Sequence, residues 1–482
     1  MAASFFFYDL ETSGVQPRQG RIMQFAGQRT DLDLKPIGEP VNDLIRLGDD
    51  ILPDPDAVLI TGITPQATLA DGYVEAEFLG KFEREVATPG TIFVGFNSVR
   101  FDDEFMRALH YRNFYDPYEW QWQDGKSRWD LLDVVRMTRA LRPAGIKWPF
   151  DIHGKATNRL ELLTGLNKLS HEAAHDALSD VTATIEVARL IRNKHPKLFD
   201  YLLNLRDKKR LAEFVQNNAT FVYTSGKYSS DYEKTTVVAP ICSHPKRSGA
   251  MLVYNLRYDP VQYADATPEQ LAEAWKWRKD ATEEERLPVK LMQYNRCPAV
   301  APVSVLDDAS RERLRLDESI LQKHHAALRA MPDLADRLCR ALEIMDAAKQ
   351  QQTSIVSTEQ DVDTQIYDGF FGEQDRQAMR VVRAATPEEL SSLNLNFSDQ
   401  RLVTLLPLYK ARNFPKALSD EERATWERYR KNKLLARGEH SKMAQFLKRL
   451  QDIAATSNLT GHQQYLLEEL KLYAESIMPE SD

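Results

Sequence analysis

Residues 5–11, Phe5-Phe6-Phe7-Tyr8-Asp9-Leu10-Glu11, place two carboxylates at the end of an aromatic run. The run has the composition of a buried strand, and a strand's period of two puts Asp9 and Glu11 on one face with Leu10 on the other. Two acidic side chains therefore converge at a strand end, where Thr12-Ser13-Gly14 predicts a turn. A divalent cation that binds phosphate takes hard oxygen ligands, so this pair is half of a Mg2+ site. The same spacing also occurs at solvated strand ends, and alone it does not separate the two readings.

Three later residues extend the acidic constellation. In Gly95-Phe96-Asn97-Ser98-Val99-Arg100-Phe101-Asp102 the chain leaves the apolar run Ile92-Phe93-Val94 and heads into a helix through residues 104–109, so Asp102 falls near that helix's start. An acid there also serves as an N-cap. Asp180 lies in a segment whose Leu178, Val181 and Ile185 mark the packed face of a helix. It sits in the first turns, a place the helix dipole favours for any acid. His175, five residues earlier and just outside the helix, can swing over the same point or pack at the surface.

Taken together, these five residues resemble the DEDD exonucleases of the subtype with a catalytic histidine, which are similar in fold to ribonuclease H. The resemblance implies that Asp9, Glu11 and Asp180 are metal ligands, Asp102 the fourth acid and His175 the general base. Asp103 and Asp176 are then neighbours. In many members an Asn stands four residues before the acid matching Asp102; here that position is Ser98, and Asn97 is one residue too early. In a two-metal site the ions sit about 3.5–4 Å apart, one activating the attacking water and the other stabilising the leaving oxygen. A histidine with an ordinary pKa near about 6.5 accepts the water's proton at neutral pH better than a solvated carboxylate. Without metal the carboxylates repel one another and the substrate phosphate, so activity should depend on the ion.

Further segments are similar to the bacterial exodeoxyribonuclease I family: Val58-Leu59-Ile60-Thr61-Gly62-Ile63-Thr64-Pro65, Tyr111–Tyr118, Ser127–Val134, Ile366-Tyr367-Asp368-Gly369-Phe370-Phe371 and Ala411-Arg412-Asn413-Phe414-Pro415. This resemblance implies processive degradation of single-stranded DNA from the 3′ end to 5′-mononucleotides, in DNA repair and recombination. It implies two Mg2+ per site, with Mn2+ as a possible substitute, and added domains that help enclose the strand. It also implies binding of the acidic, Phe-ended tail of single-stranded DNA-binding protein, by Arg142 at the tail's terminal carboxylate and by Tyr201 at an apolar pocket. Those residues serve equally as a helix cap and as packing. Leu10 and Ser13 replace aromatics of the family's first motif.

The run Tyr111-Arg112-Asn113-Phe114-Tyr115-Asp116-Pro117-Tyr118-Glu119-Trp120-Gln121-Trp122 is unusually aromatic. Bases of a single strand stack on aromatic faces for about 1–3 kcal/mol each, whatever their sequence. Phe114 and Tyr115 read as core, whereas Tyr118 and Trp122 resemble family positions that contact DNA. Glu11, Arg107, Arg136, Arg159 and Lys208 likewise resemble substrate-contacting positions, with Arg159 expected near the 3′-terminal nucleotide. A net charge of −8 weighs little against DNA binding, because distribution matters more than the total and acids of a metal site contribute to the deficit. The basic runs Arg206–Arg210 and Arg428–Lys433 can track a phosphate backbone or form solvated helix faces.

At 482 residues and 43% hydrophobic content the chain is long enough for about three domains. Residues 1–196 alternate strand-like and helix-like segments, an α/β exonuclease domain closing at His195-Pro196. Residues 197–346 carry short β-like runs at 219–224, 235–238 and 250–254, then a helix opened by the capping box Thr267-Pro268-Glu269-Gln270. They fit a small barrel, and the resemblance implies an SH3-like one. The polar, linker-like stretch Lys349–Thr353 leads into a helical part, 347–482, with another capped helix at Ser419-Asp420-Glu421-Glu422. No apolar stretch of roughly 18 residues is present to cross a membrane, and the N-terminal run lacks the basic lead of an export signal. Three scattered cysteines, Cys242, Cys297 and Cys339, fit free thiols in a reducing cytoplasm; a monomer is expected. The competing readings are another DEDD 3′ exonuclease, proofreading or RNA-directed, and a single-strand-binding protein with a vestigial site.

Overall fold

The computed structural model describes residues 3–479 apart from 172–175, 277, 279–284, 357–360, 394 and 457. It divides into two compact units, one comprising Met1–Ser127, His171–Thr182 and Gln360–Asp482, the other Arg128–Ser170 and Ala183–Glu359.

β1 (Ser4–Thr12), β2 (Ile22–Thr30), β3 (Val41–Leu44), β4 (Thr91–Gly95) and β5 (Ser127–Asp130) form a mixed sheet in the order β3-β2-β1-β4-β5. β1 is central, antiparallel to β2 and parallel to β4. Its even-numbered side chains Phe6, Tyr8 and Leu10 enter an apolar core with Phe25, Phe78, Phe82, Phe93 and Trp120, which leaves the odd-numbered Asp9 and Glu11 to the other face. Phe6 needs room that only a glycine gives: a Cβ on Gly27 would lie 2.3 Å from its ring.

The C-terminal part of this unit is helical, as its apolar periodicity predicts. Helices Gln400–Asn413, Asp420–Leu435, Lys442–Ala454 and Gly461–Ser476 carry it, and Ser419 and Glu422 form the expected capping box. The family-like motifs act here as joints. Tyr111 donates to the Val362 carbonyl at 3.0 Å, Asn413 to Asn113 at 3.1 Å, and Ala76 N–H to Asn413 at 2.9 Å. Beside them lies a buried ion network: Asp50 accepts from Arg412 at 2.8 Å and from Lys433 at 2.7 Å, and Asp363 from Arg21 at 2.7 Å. The run Arg428–Lys433 is therefore not a backbone-tracking face throughout. Arg430 and Lys433 point inward: Arg430 donates to the Ile477 carbonyl at 2.6 Å and pairs with Asp49 at 3.3 Å, and Lys433 pairs with Asp50, whose burial requires cations beside it.

In the second unit, β6 (Phe221–Thr224), β7 (Thr235–Ser243), β8 (Ala250–Asn255), β9 (Val289–Gln293) and β10 (Ala299–Pro302) form an antiparallel sheet ordered β10-β6-β7-β8-β9. Phe221, Tyr223, Val238, Val253, Met292 and Val300 make its core. The helix Pro268–Trp275 begins at the Thr267–Gln270 capping box read from the sequence. All three cysteines are free thiols, and Cys242 on β7 comes within 3.8 Å of Cys339. The linker expected at Lys349–Thr353 is instead part of the helix Leu334–Val356. Its Lys and Gln residues are polar but good helix formers, and no Gly or Pro interrupts them.

Candidate active site

Asp9 and Glu11 reach the site from the end of β1, where Asp9 pairs with Ala26 and Glu11 with Gln24 before the register shifts between Glu11 and Thr12. Asp180 comes from the first turn of the helix Ala177–Lys194. One carboxylate oxygen from each of the three lies within 4.8 Å of the others. Asp176 starts that helix rather than joining the trio: its Oδ2 accepts from Ser179 N–H at 3.1 Å.

Asp102 is buried, 4% exposed, as the first residue of the helix Asp102–Arg112. The capping position belongs to Phe101, which makes no side-chain cap bond, so the N-cap reading of Asp102 fails. The chain reaches Asp102 through a tight approach: a Cβ on Gly95 would lie 2.4 Å from Ser98 Cβ, and Asn97 adopts φ 71°. The Tyr8 hydroxyl, next to Asp9, donates to Asp103, next to Asp102, and ties β1 to this helix in the core.

The acids strain against one another. Burial first, then Asp102, Asp180, Glu11 and Asp176, hold the Asp9 carboxyl well above its ordinary range. Burial, Asp180, Asp102 and Asp176 push Glu11 up to about 8. Clustered acids of this kind call for a cation, and an all-oxygen donor set suits a hard one. The trio is thus an acidic metal-binding site. His175 lies outside the described residues. A histidine passed over in the sequence does meet the site: His171 Nε2 is 2.7 Å from Asp180 Oδ1.

In the same unit, Arg107 donates to Glu104 at 2.8 Å and to Gln121 at 3.0 Å, and its guanidinium lies 5.4 Å from the centre of the Tyr118 ring. Phe114 is buried and Trp120 is core, whereas Trp122 is 59% exposed. Phe370, to which the sequence reading gave no role, is 81% exposed with its ring 5.7 Å from Tyr118. Its signal was the family-like segment Ile366–Phe371, in which it directly follows Gly369.

The other candidates belong to the second unit. Arg136 bonds Asp133 at 2.6 Å one helical turn away, Arg159 is exposed just before the helix Leu160–Asn167, and Lys208 is exposed at the start of Lys208–Asn217. Arg142 ends the helix Leu131–Leu141, donating to the Leu141 carbonyl at 2.6 Å and the Val305 carbonyl at 3.0 Å while its side chain stays 40% exposed. Tyr201 packs half-buried against the core of the second sheet, and burial pushes its hydroxyl up to about 12. Among the described residues no helix is long and apolar enough to cross a membrane.

Three family models match the chain: Exonuclease over residues 6–188, Exonuclease I SH3-like domain over 206–343 and Exonuclease I C-terminal domain over 360–477. Exodeoxyribonuclease I of Haemophilus influenzae is 40% identical over 437 residues, covering 89% of this chain and 90% of its own. A moderately thermophilic exonuclease I from Methylocaldum szegediense superposes with a TM-score of 0.91 at 40% identity, over 99% of this chain and 100% of its own. Exonuclease I of Escherichia coli, at 36% identity and the same coverage, superposes with a TM-score of 0.91 in complex with a dA16 oligonucleotide. A solved structure of SSB/exonuclease I in complex with an inhibitor superposes with a TM-score of 0.89 at 36% identity.

Proposed function

Because the chain belongs to the exodeoxyribonuclease I family, we propose that Asp9, Glu11 and Asp180 hold two Mg2+ ions, or Mn2+ in their place, for 3′-to-5′ hydrolysis of single-stranded DNA to 5′-mononucleotides. The observation that carries this reading is the trio of carboxylate oxygens within 4.8 Å. When bound, the ions supply an activated water and neutralise charge on the leaving oxygen. Asp102 adds a fourth negative charge beside Asp9, which raises the site's demand for a second cation. His175 takes the proton of the attacking water, a role that rests on its place in the sequence.

Tyr118, Trp122 and Phe370 offer ring faces to the bases, and Arg107 contributes a cation beside the first of them. Stacking tolerates every base, as an enzyme that walks along a strand requires. Arg136, Arg159 and Lys208 serve as further nucleotide contacts, Arg159 at the 3′ terminus. Arg142 and Tyr201 receive the acidic tail of single-stranded DNA-binding protein, a partner supported by the similar SSB/exonuclease I structure. In this reading the exonuclease, SH3-like and helical domains meet near residues 196 and 346, the chain acts as a monomer, and its free thiols suit a reducing cytoplasm.

Matched DNA and RNA oligonucleotides, single-stranded and duplex, test the substrate. The proposal expects rapid release of nucleotides from single-stranded DNA alone. Equal rates on RNA would favour a ribonuclease of the same superfamily, and binding without any product would favour a vestigial site.

A further inference from the structure

We propose that His171 is a positioning residue that holds the Asp180 carboxylate in its metal-binding orientation, an inference that rests on the metal site proposed above. His171 Nε2 and Asp180 Oδ1 are 2.7 Å apart across nine residues of chain. Their side chains are 6% and 19% exposed, so water competes little for either. Local helix geometry does not supply this contact: it fixes the Asp180 backbone, whose N–H donates to the Asp176 carbonyl at 3.0 Å, and does not set the side-chain torsion.

The site gives Asp180 a reason to turn away. Its charge is, after burial, the largest influence on Glu11 and a major one on Asp9, and the repulsion is mutual. A donor on Oδ1 opposes that swing and holds the carboxylate where its oxygens converge with those of Asp9 and Glu11. With its proton on Nε2, the imidazole supplies that donor. The bond also separates His171 from a general base, since the nitrogen that faces the site is committed to a carboxylate. Hydrogen bonds of this kind to a metal-ligating group are worth roughly 10–100-fold in metal affinity.

Direct Mn2+ binding, read by electron paramagnetic resonance on the full chain without DNA, tests the assignment, with wild type and Asp180→Ala as references. His171→Ala should weaken binding by about 10–100-fold. His171→Gln, whose amide restores a donor of similar reach, should recover most of it. In turnover assays the Mn2+ concentration for half-maximal rate should rise by the same factor in His171→Ala, while KM for single-stranded DNA does not move. Wild-type Mn2+ affinity in His171→Ala would overturn the inference, as would a His171→Gln protein no better than the alanine variant. A loss in rate of about 10²-fold or more that persists at saturating Mn2+ would also overturn it, by placing His171 in proton transfer instead. Absence of Mn2+ binding to the wild type is a different failure, and it would remove the metal site itself.

Discussion

Arg412 grips Asp363 through two parallel hydrogen bonds, Nη1 to Oδ1 and Nη2 to Oδ2, each 2.9 Å long. Both side chains are almost wholly buried, at 7% and 2% exposure. Burial alone would raise the Asp363 carboxyl, but Arg412, Arg21 and Lys433 outweigh it and hold the group well below the usual carboxylate range. Asp50 is held low by Arg412, Lys433 and Arg21 in the same way. Arg412→Ala should therefore destabilise the protein by about 3–5 kcal/mol, chiefly by leaving buried carboxylates short of a cation. Denaturant unfolding measures this, and a loss below about 1 kcal/mol would show the pair to be dispensable.

The same network fixes a pH dependence. A carboxyl whose folded pKa is depressed stabilises the fold at pH above its unfolded value, about 3.9, and that contribution disappears as pH falls below it. Thermal melts should thus show a steep loss below about pH 4 in the wild type. The loss should be shallower in an Asp363→Asn variant, whose starting stability is lower.

The acid cluster has the opposite sign. Glu11 is pushed up to about 8 and Asp9 is also raised, so the metal-free site carries protons at neutral pH. Cation binding must expel them. Calorimetric titration of Mg2+ or Mn2+ at pH 7 in buffers of different ionisation enthalpy should show proton release, and affinity should rise with pH toward about 8. Heats independent of the buffer would contradict the raised values.

Removing ligands should silence the enzyme without unfolding it. Asp9→Ala, Glu11→Ala and Asp180→Ala are each expected to abolish hydrolysis while retaining the wild-type circular dichroism spectrum. His175→Ala should slow the chemical step by about 10²–10⁴-fold with DNA binding largely kept. Near-normal turnover in any of the three acid variants would remove that residue from the metal site.

Much of this was legible in the sequence because it depends on local periodicity. The alternation through Phe6, Tyr8 and Leu10 placed Asp9 and Glu11 on one face, and the capping signals at Thr267 and Ser419 named helix starts that the structure contains. What escaped was set by partners distant along the chain. Arg430 and Lys433 read as a solvated basic run because Asp49 and Asp50, which draw them inward, lie more than 380 residues away. His171 carried no signal in the sequence, because its contact with Asp180 joins positions nine residues apart that no periodicity pairs. The Lys349–Thr353 stretch shows the reverse case: polar composition marks exposure, and exposure does not separate a loop from a helix.

At Arg142, bonds to the Leu141 and Val305 carbonyls and an ion pair with the exposed Asp307 at 3.8 Å leave 40% of the side chain exposed, where a tail carboxylate would compete with Asp307. Arg142→Ala should weaken binding of an acidic, Phe-ended tail peptide of single-stranded DNA-binding protein, and wild-type binding should weaken with added salt. Activity on naked DNA is the control for damage to the fold. Unchanged peptide affinity in calorimetry would take Arg142 out of the pocket.

The central claim is metal-dependent hydrolysis from the 3′ end of a single strand, and one experiment reaches it most directly. A linear single-stranded oligonucleotide labelled at its 3′ end, a 5′-labelled twin and a circular single strand are incubated with Mg2+ or with a chelator. The account predicts immediate release of the 3′ label as a mononucleotide, progressive shortening of the 5′-labelled strand, an intact circle and no product under chelation. Early release of the 5′ label, cutting of the circle or undiminished activity in the chelator would contradict it.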